Sequence, residues 1–233
     1  MDRAEAMLAR IRDFFLDLLF PTSCLGCGSE GSILCPSCLR TLPRLHPPYC
    51  QRCGIPYPSR ICPSCLSSPP VIDGIRSPLL YQDLAREAII HLKYHNLKVL
   101  AQPLAEILAD YLAEGSFEFD VLVPVPLHPK RLRLRGYNQS ALLARNLSQL
   151  IGVPLREDIL VRVRDTPSQT SLGGSERRRN VAEAFESRVE LKGWGILLLD
   201  DVCTTGATLD ACATALKKAG AGSVWGLTLA REV

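Results

Sequence analysis

The stretch ILLLDDVCTTGATL, Ile196 to Leu209, decides the fold of this 233-residue chain. Four consecutive aliphatic residues predict a strand buried on both faces, two carboxylates stand at its carboxyl end, and a Thr/Gly turn opens a helix. The first N–H groups of a helix have no intrahelical partner and carry the positive end of its dipole. Thr204, Thr205, Gly206, Ala207 and Thr208 are therefore placed to wrap a phosphate. Gly206 lets backbone approach the anion, and the apolar spacing from Ala207 to Leu216, closed by Gly220, predicts the helix that follows. Asp200 and Asp201 repel phosphate, but they can accept hydrogen bonds from a vicinal diol or hold Mg²⁺ through water. Cys203, inside the turn, is expected to fill a small buried slot. The bland alternative is a strand ending in solvated aspartates before a Thr-capped helix. A Walker A loop is excluded, because no GxxxxGK[ST] occurs.

This order of hydrophobic run, two acids and T-G-x-T resembles the phosphoribosyl pyrophosphate (PRPP) motif of the type I phosphoribosyltransferases. The resemblance implies that Asp200 and Asp201 hold the ribose diol, that Thr204 to Thr208 hold the 5-phosphate, and that Cys203 belongs to the PRPP-binding segment.

Outward from this segment the pattern from Gly74 alternates strand and helix, which predicts an α/β, mainly parallel sheet flanked by helices. Strands are expected at Ile75–Tyr81, Asp120–Val125, Ile159–Val163, Ile196–Leu199 and Ser223–Leu229. Helices are expected at Leu84–His95, Leu100–Leu112 and Tyr137–Ile151. A second turn, VPVPLHPKRLRLRGYNQ from Val123 to Gln139, is stiffened by prolines and carries Lys130, Arg131, Arg133 and Arg135. It reads as a pyrophosphate site or as an exposed basic helix face. By resemblance to the type I enzymes, Val125, Pro126 and Leu127 are the pyrophosphate-loop residues. A third element, Arg162 to Phe185, lacks apolar periodicity and contains Gln169, Gly173-Gly174, Arg177 and Arg178. It reads as a flexible loop closing over an anionic substrate, or as a basic surface loop.

The cysteines divide the chain: eight of ten fall between Cys24 and Cys65. They form four CxxC knuckles, Cys24/Cys27, Cys35/Cys38, Cys50/Cys53 and Cys62/Cys65, a spacing that brings two thiolates to one tetrahedral metal. Two structural Cys₄ zinc sites are expected, since few large apolar residues and many prolines leave this segment without a core of its own. The intervals favour pairing consecutive knuckles, with interleaved pairing left open. Arg40, Arg44, Arg52 and Arg60, interleaved with Tyr49 and Tyr57, form either a solvated scaffold surface or a face for single-stranded nucleic acid.

The first twenty residues predict an amphipathic helix with Met7, Leu8, Ile11, Phe14, Phe15, Leu18 and Leu19 on one face, docked on the protein itself, a partner or a membrane surface. Acidic and basic residues interrupt every apolar run there, so neither a secretory signal nor a transmembrane segment is expected, and the location expected is cytoplasmic. The expected domains are 1–20, this helix; 21–70, the double zinc ribbon; and 71–233, the transferase-like domain. A net charge of +3 spread over both parts excludes a strongly basic nucleic-acid block.

Three lesser features have plain readings. His91 and His95 lie four apart on a helix but lack a third ligand. Lys93-Tyr94 resembles a K-Y pair that contacts substrate, or lies on the surface. Four residues follow the last predicted strand, which leaves no room for a hood over an acceptor base; the acceptor wall is expected from Val71–Asn96 or from the zinc module.

Together the PVPLH…RGYNQ run, the TPSQTSL…RRRNVAEAF loop, the PRPP motif and a leading zinc ribbon resemble the ComF family. The resemblance implies a Mg²⁺-dependent PRPP-binding phosphoribosyltransferase of undefined acceptor, linked to natural competence, single-stranded DNA uptake and a helicase-like partner. A PRPP-sensing or nucleic-acid-binding adaptor without turnover, working with a DNA-translocating partner, is the alternative.

Overall fold

The computed structural model describes residues 22–164 and 184–233. Gln169, Arg177 and Arg178 of the expected loop, and the helix expected over 1–20, lie outside the described residues. The chain divides into two compact units, Met1–Leu42 and Pro43–Val233.

In the first unit the CxxC turn closes by the Gly28 N–H to the Cys24 carbonyl at 2.8 Å. Gly28 supports that turn with φ of +72°, a value that costs a side-chain-bearing residue energy. The second knuckle opens a short helix, α1 (Pro36–Arg40), begun by proline at a position where no N–H is missed.

The second unit begins with a copy of the same device. The Gly54 N–H closes on the Cys50 carbonyl at 2.9 Å, Gly54 has φ of +74°, and Pro63 starts α2 (Pro63–Ser67). Beyond it lies a sheet ordered β1 (Gly74–Arg76), β7 (Ser223–Arg231), β6 (Gly195–Cys203), β3 (Val121–Pro124), with β2 (Leu79–Leu80) also paired to β7. All these pairings are parallel. Parallel strands with helices on both faces are apolar along their whole length. Accordingly Ile196, Leu197, Leu198 and Leu199 are all fully buried.

Ile196 and Leu198 share a core with Leu209, Cys212, Ala213 and Leu216 of α7 (Ala207–Lys218). The remaining α-helices among the described residues are α3 (Asp83–Tyr94), α4 (Ala101–Glu114), the short α5 (Pro129–Arg135) and α6 (Gln139–Ile151), with α4 packed on α6.

The structure differs from the sequence reading in two places and decides between its two readings in a third. The strand expected over Ile75–Tyr81 is two strands, because Ser77 turns its hydroxyl to Thr228 at 2.6 Å and Pro78 has no N–H for the ladder. The strand expected over Ile159–Val163 leaves the main sheet: β4 (Leu160–Arg162) pairs antiparallel with β5 (Phe185–Ser187). The basic run after Pro126 is the helix α5, whose Leu134 is 90% exposed. No helix among the described residues is long and apolar enough to cross a membrane.

Candidate functional site: an acidic pair, a phosphate turn and two thiolate centres

Strand β6 runs through both aspartates to Cys203, further than its aliphatic core suggests. Asp201 is buried, and its Oδ1 lies 2.7 Å from Lys93 Nζ on α3. Burial alone would depress the Lys93 ammonium, and the Asp201 carboxylate, with smaller help from Asp200 and Tyr81, more than offsets that, holding its pKa above the usual value. The other oxygen, Asp201 Oδ2, is buried without a hydrogen-bond partner among the described residues, an arrangement that costs energy unless a ligand donates to it. Asp200 accepts from Ser140 Oγ at 2.7 Å and from the Asp201 N–H at 2.9 Å. Burial first, and the neighbouring Asp201 charge second, push the Asp200 carboxyl up to about 7, against the pull of the Ser140 hydroxyl and Lys93.

Ser140 is positioned by a helix start. Gly136 ends α5 in the left-handed region at φ +79°, and Asn138 caps α6, its side chain accepting from the Ser140 N–H at 3.0 Å. The Asn138 amide also donates to the Val125 carbonyl at 3.0 Å, while the Val125 N–H donates to the Leu199 carbonyl at 2.9 Å. The loop Val125, Pro126, Leu127 is thereby fastened to the acidic pair through Asn138 and Ser140. Arg135 of the basic helix donates to Gln139 and stacks on the Tyr94 ring at 5.0 Å.

After the acids the chain turns through Thr204, Thr205 and Gly206 into α7. Gly206 has φ of +81°, and a Cβ there would sit 2.9 Å from Ile75 Cδ1. Thr204 and Thr205 are exposed, while Cys203 is buried. The Cys203 sulfur lies in the core beneath the turn and accepts from Arg231 Nη1 at 3.0 Å. Burial raises its thiol, so it is held neutral. The structure thus brings the acids, the turn and the Val125 loop to the carboxyl ends of adjacent strands, where open α/β sheets bind ligands. His91 and His95 stack on each other at 4.6 Å, and neither belongs to a metal-ligand cluster among the described residues.

The eight N-terminal cysteines form two tetrads by consecutive pairing: Cys24, Cys27, Cys35 and Cys38, then Cys50, Cys53, Cys62 and Cys65. Within each, the sulfurs lie within 4.8 Å of one another. Cys27 to Cys35 is 3.6 Å and Cys53 to Cys62 is 3.7 Å. A tetrahedron with Zn–S of ~2.3 Å has edges of about 3.8 Å, so both tetrads fit zinc. Backbone N–H groups reach the sulfurs of both tetrads, among them Cys35 to Cys24 and Cys62 to Cys50, both at 3.3 Å. Such N–H donors favour thiolates.

Sequence reasoning passed over Ser140, Asn138 and Arg231. Asn138 after Gly136 is a readable helix start, but Ser140 meets Asp200 only through the tertiary fold. Arg231 gives no sequence signal beyond a lone cation closing an apolar strand.

A parallel sheet with an acidic pair leading into a phosphate-type turn, following thiolate tetrads, defines a phosphoribosyltransferase-type domain joined to zinc ribbons. Family comparison agrees, matching a double zinc ribbon domain over residues 15–66 and a phosphoribosyl transferase domain over residues 93–231. The chain belongs to the ComF family: it is 32% identical to competence protein F of Haemophilus influenzae over 91% of this chain and 98% of that one. It is also 32% identical to the DNA utilization protein YhgH of Salmonella typhimurium, over 82% of this chain and 87% of that one. Against competence protein ComFC of Bacillus subtilis it is 29% identical, covering 85% and 84%. Among solved structures, the glutamine PRPP amidotransferase from B. subtilis is similar with a TM-score of 0.40 at 20% identity, over 59% of this chain and 30% of that one.

Proposed function

We propose that this protein binds PRPP at the Asp200–Thr208 segment as the donor of a Mg²⁺-dependent phosphoribosyl transfer, in the service of competence and single-stranded DNA uptake. The observation that carries the donor assignment is the buried, unpartnered Asp201 Oδ2, held beside Asp200 by Lys93 at the head of a phosphate-type turn. Asp200 and Asp201 receive the ribose hydroxyls, and Thr204, Thr205, Gly206, Ala207 and Thr208 hold the 5-phosphate. The oxygens of the two aspartates are also a suitable donor set for hydrated Mg²⁺, which when bound neutralises pyrophosphate. Val125, Pro126 and Leu127 face the pyrophosphate, and Gln169, Arg177 and Arg178 belong to a loop that excludes water. In this reading a helix over 1–20 and zinc ribbons over 21–70 precede the transferase domain of 71–233, in a cytoplasmic protein working with a DNA-translocating partner. The DNA role is supported by the likeness to a competence protein and a DNA utilization protein.

The test is a calorimetric titration of the zinc-loaded protein with PRPP and Mg²⁺, then measurement of pyrophosphate release across nucleobase, nucleoside and single-stranded DNA acceptors. Binding lost in the Asp200→Asn, Asp201→Asn double variant is the expected result. Unchanged affinity in that variant would remove the donor assignment.

A further inference from the structure

Arg231 is a buried cation with no role in the reading above. It closes β7 at 2% exposure, opposite Cys203 in the register of β6 and β7. Its Nη1 donates to the Cys53 carbonyl at 2.5 Å and to Cys203 Sγ at 3.0 Å. Among the described residues it forms no ion pair with a carboxylate. A buried guanidinium with only neutral acceptors is costly, so a compensating negative charge is required.

The second tetrad supplies one. Four thiolates around a divalent zinc carry a formal charge of −2, and Cys53, whose carbonyl takes the guanidinium, is one of the four. The other acceptor, Cys203, immediately precedes Thr204. One side chain therefore joins the backbone of a metal ligand to the residue just before the phosphate turn.

The rest of the second ribbon is seated on the same elements. The Ile75 N–H donates to the Arg52 carbonyl at 2.8 Å, and Arg76 Nη1 to the Gln51 carbonyl at 3.0 Å. Asp210 on α7 accepts from the N–H groups of Val71 and Ile72 at 2.6 and 3.0 Å. Ile75 lies between the two glycines: a Cβ on Gly54 would meet its carbonyl oxygen at 2.5 Å, and one on Gly206 its Cδ1 at 2.9 Å. A cavity of about 270 Å³ has Cys53, Cys62 and Cys65 on one wall and Thr204 to Ala207 on another.

We infer that Arg231 is a positioning residue: it is the counter-charge of the second zinc–thiolate centre and sets the phosphate turn against it, so that metal and bound donor stabilise each other. The inference rests on PRPP being the ligand of the turn. Coupling between two such sites is reciprocal, so donor binding must slow loss of this zinc by the factor that the zinc strengthens donor binding, provided loss follows affinity.

The experiment uses the full-length, zinc-loaded protein. Zinc release into a chromophoric chelator is followed with and without saturating PRPP and Mg²⁺, beside calorimetric PRPP affinity, for the parent, Arg231→Lys and Arg231→Met. PRPP is expected to slow release of one of the two zinc equivalents about tenfold. Arg231→Met is expected to lose that protection and to bind PRPP about 10–100-fold more weakly, with Arg231→Lys retaining most of both. A parent that binds PRPP while both zincs leave at unchanged rates overturns the inference and leaves the proposed function standing. A parent that does not bind PRPP overturns the proposed function, and the inference with it. If Arg231→Met fails to fold, the ligand dependence of zinc release in the parent decides alone.

Discussion

Lys93 Nζ lies 2.7 Å from Asp201 Oδ1, joining the penultimate residue of a helix to the second acid of the PRPP-type motif. The Asp201 side chain is 4% exposed and that of Lys93 17%, so the pair is screened little by water. It orients Asp201 so that its other oxygen has no partner among the described residues, as the proposed ribose contact requires. Lys93→Met leaves a buried carboxylate unpaired, which typically costs about 3–5 kcal/mol. The residual exposure of Lys93 places the expected loss at the lower end, read as a reduced urea midpoint at pH 7. The loss should shrink in Lys93→Met, Asp201→Asn, where no charge is stranded; a double variant as unstable as the single would show that the pair is not coupled.

Asp200 gives a pH signature of opposite sign for ligand and for fold. Its carboxyl is raised to about 7 in the folded protein, by burial and then by Asp201, against about 3.9 in an unfolded chain. Between those values the folded state holds a proton that the unfolded state has released. Stability contributed by this group therefore falls as pH rises from about 4 to 7 and is flat above. In the proposed function donor binding needs the carboxylate, so PRPP affinity should rise over the upper part of the same interval and proton release should accompany binding near pH 6. Calorimetry in two buffers of different ionisation enthalpy measures that release, and Asp200→Asn should abolish it.

Ser140→Ala tests the residue the sequence reading passed over. Removing the hydroxyl that donates to Asp200 Oδ1 at 2.7 Å takes away an interaction favouring the charged form, so the Asp200 pKa should rise further. The midpoint of the PRPP affinity profile should move to higher pH, with affinity recovering at pH 9. A uniform loss at every pH would instead mark Ser140 as structural.

Much of this site was legible because its chemistry is local. The buried run, the acids and the turn are contiguous from Ile196 to Leu209, and CxxC spacing states a metal site wherever it occurs. The alternation from Gly74 onward foretold the parallel sheet. What escaped depends on residues far apart in sequence: Ser140 reaches Asp200 across 60 positions, and Arg231 reaches Cys53 across 178. The apolar run at Ile159–Val163 looked like a sheet strand, because periodicity reports burial and cannot name the partner, here Phe185–Ser187. The Pro129–Arg135 helix was ambiguous for a related reason. With Leu132 and Leu134 both exposed, its basic sequence has no buried face to declare it.

Metal removal should separate the two tetrads by stoichiometry. Elemental analysis of the purified protein should find two zinc per chain. Cys50→Ser with Cys62→Ser should leave one, as should Cys24→Ser with Cys35→Ser, because consecutive pairing confines each loss to its own tetrad. Had the knuckles interleaved, each double substitution would strip one ligand from both sites, and both zincs would weaken together. Structural zinc contributes roughly 10–16 kcal/mol in zinc-finger peptides. The segment around Cys50–Cys65 has little else, its core cluster being the cysteines with Ile55, Tyr57 and Ile61. Losing that metal should therefore expose the segment to proteolysis while the strands of the sheet stay protected. Amide exchange shows which: fast exchange confined to residues 48–68 fits this account, and fast exchange spreading through β6 would mean that the sheet itself requires the metal.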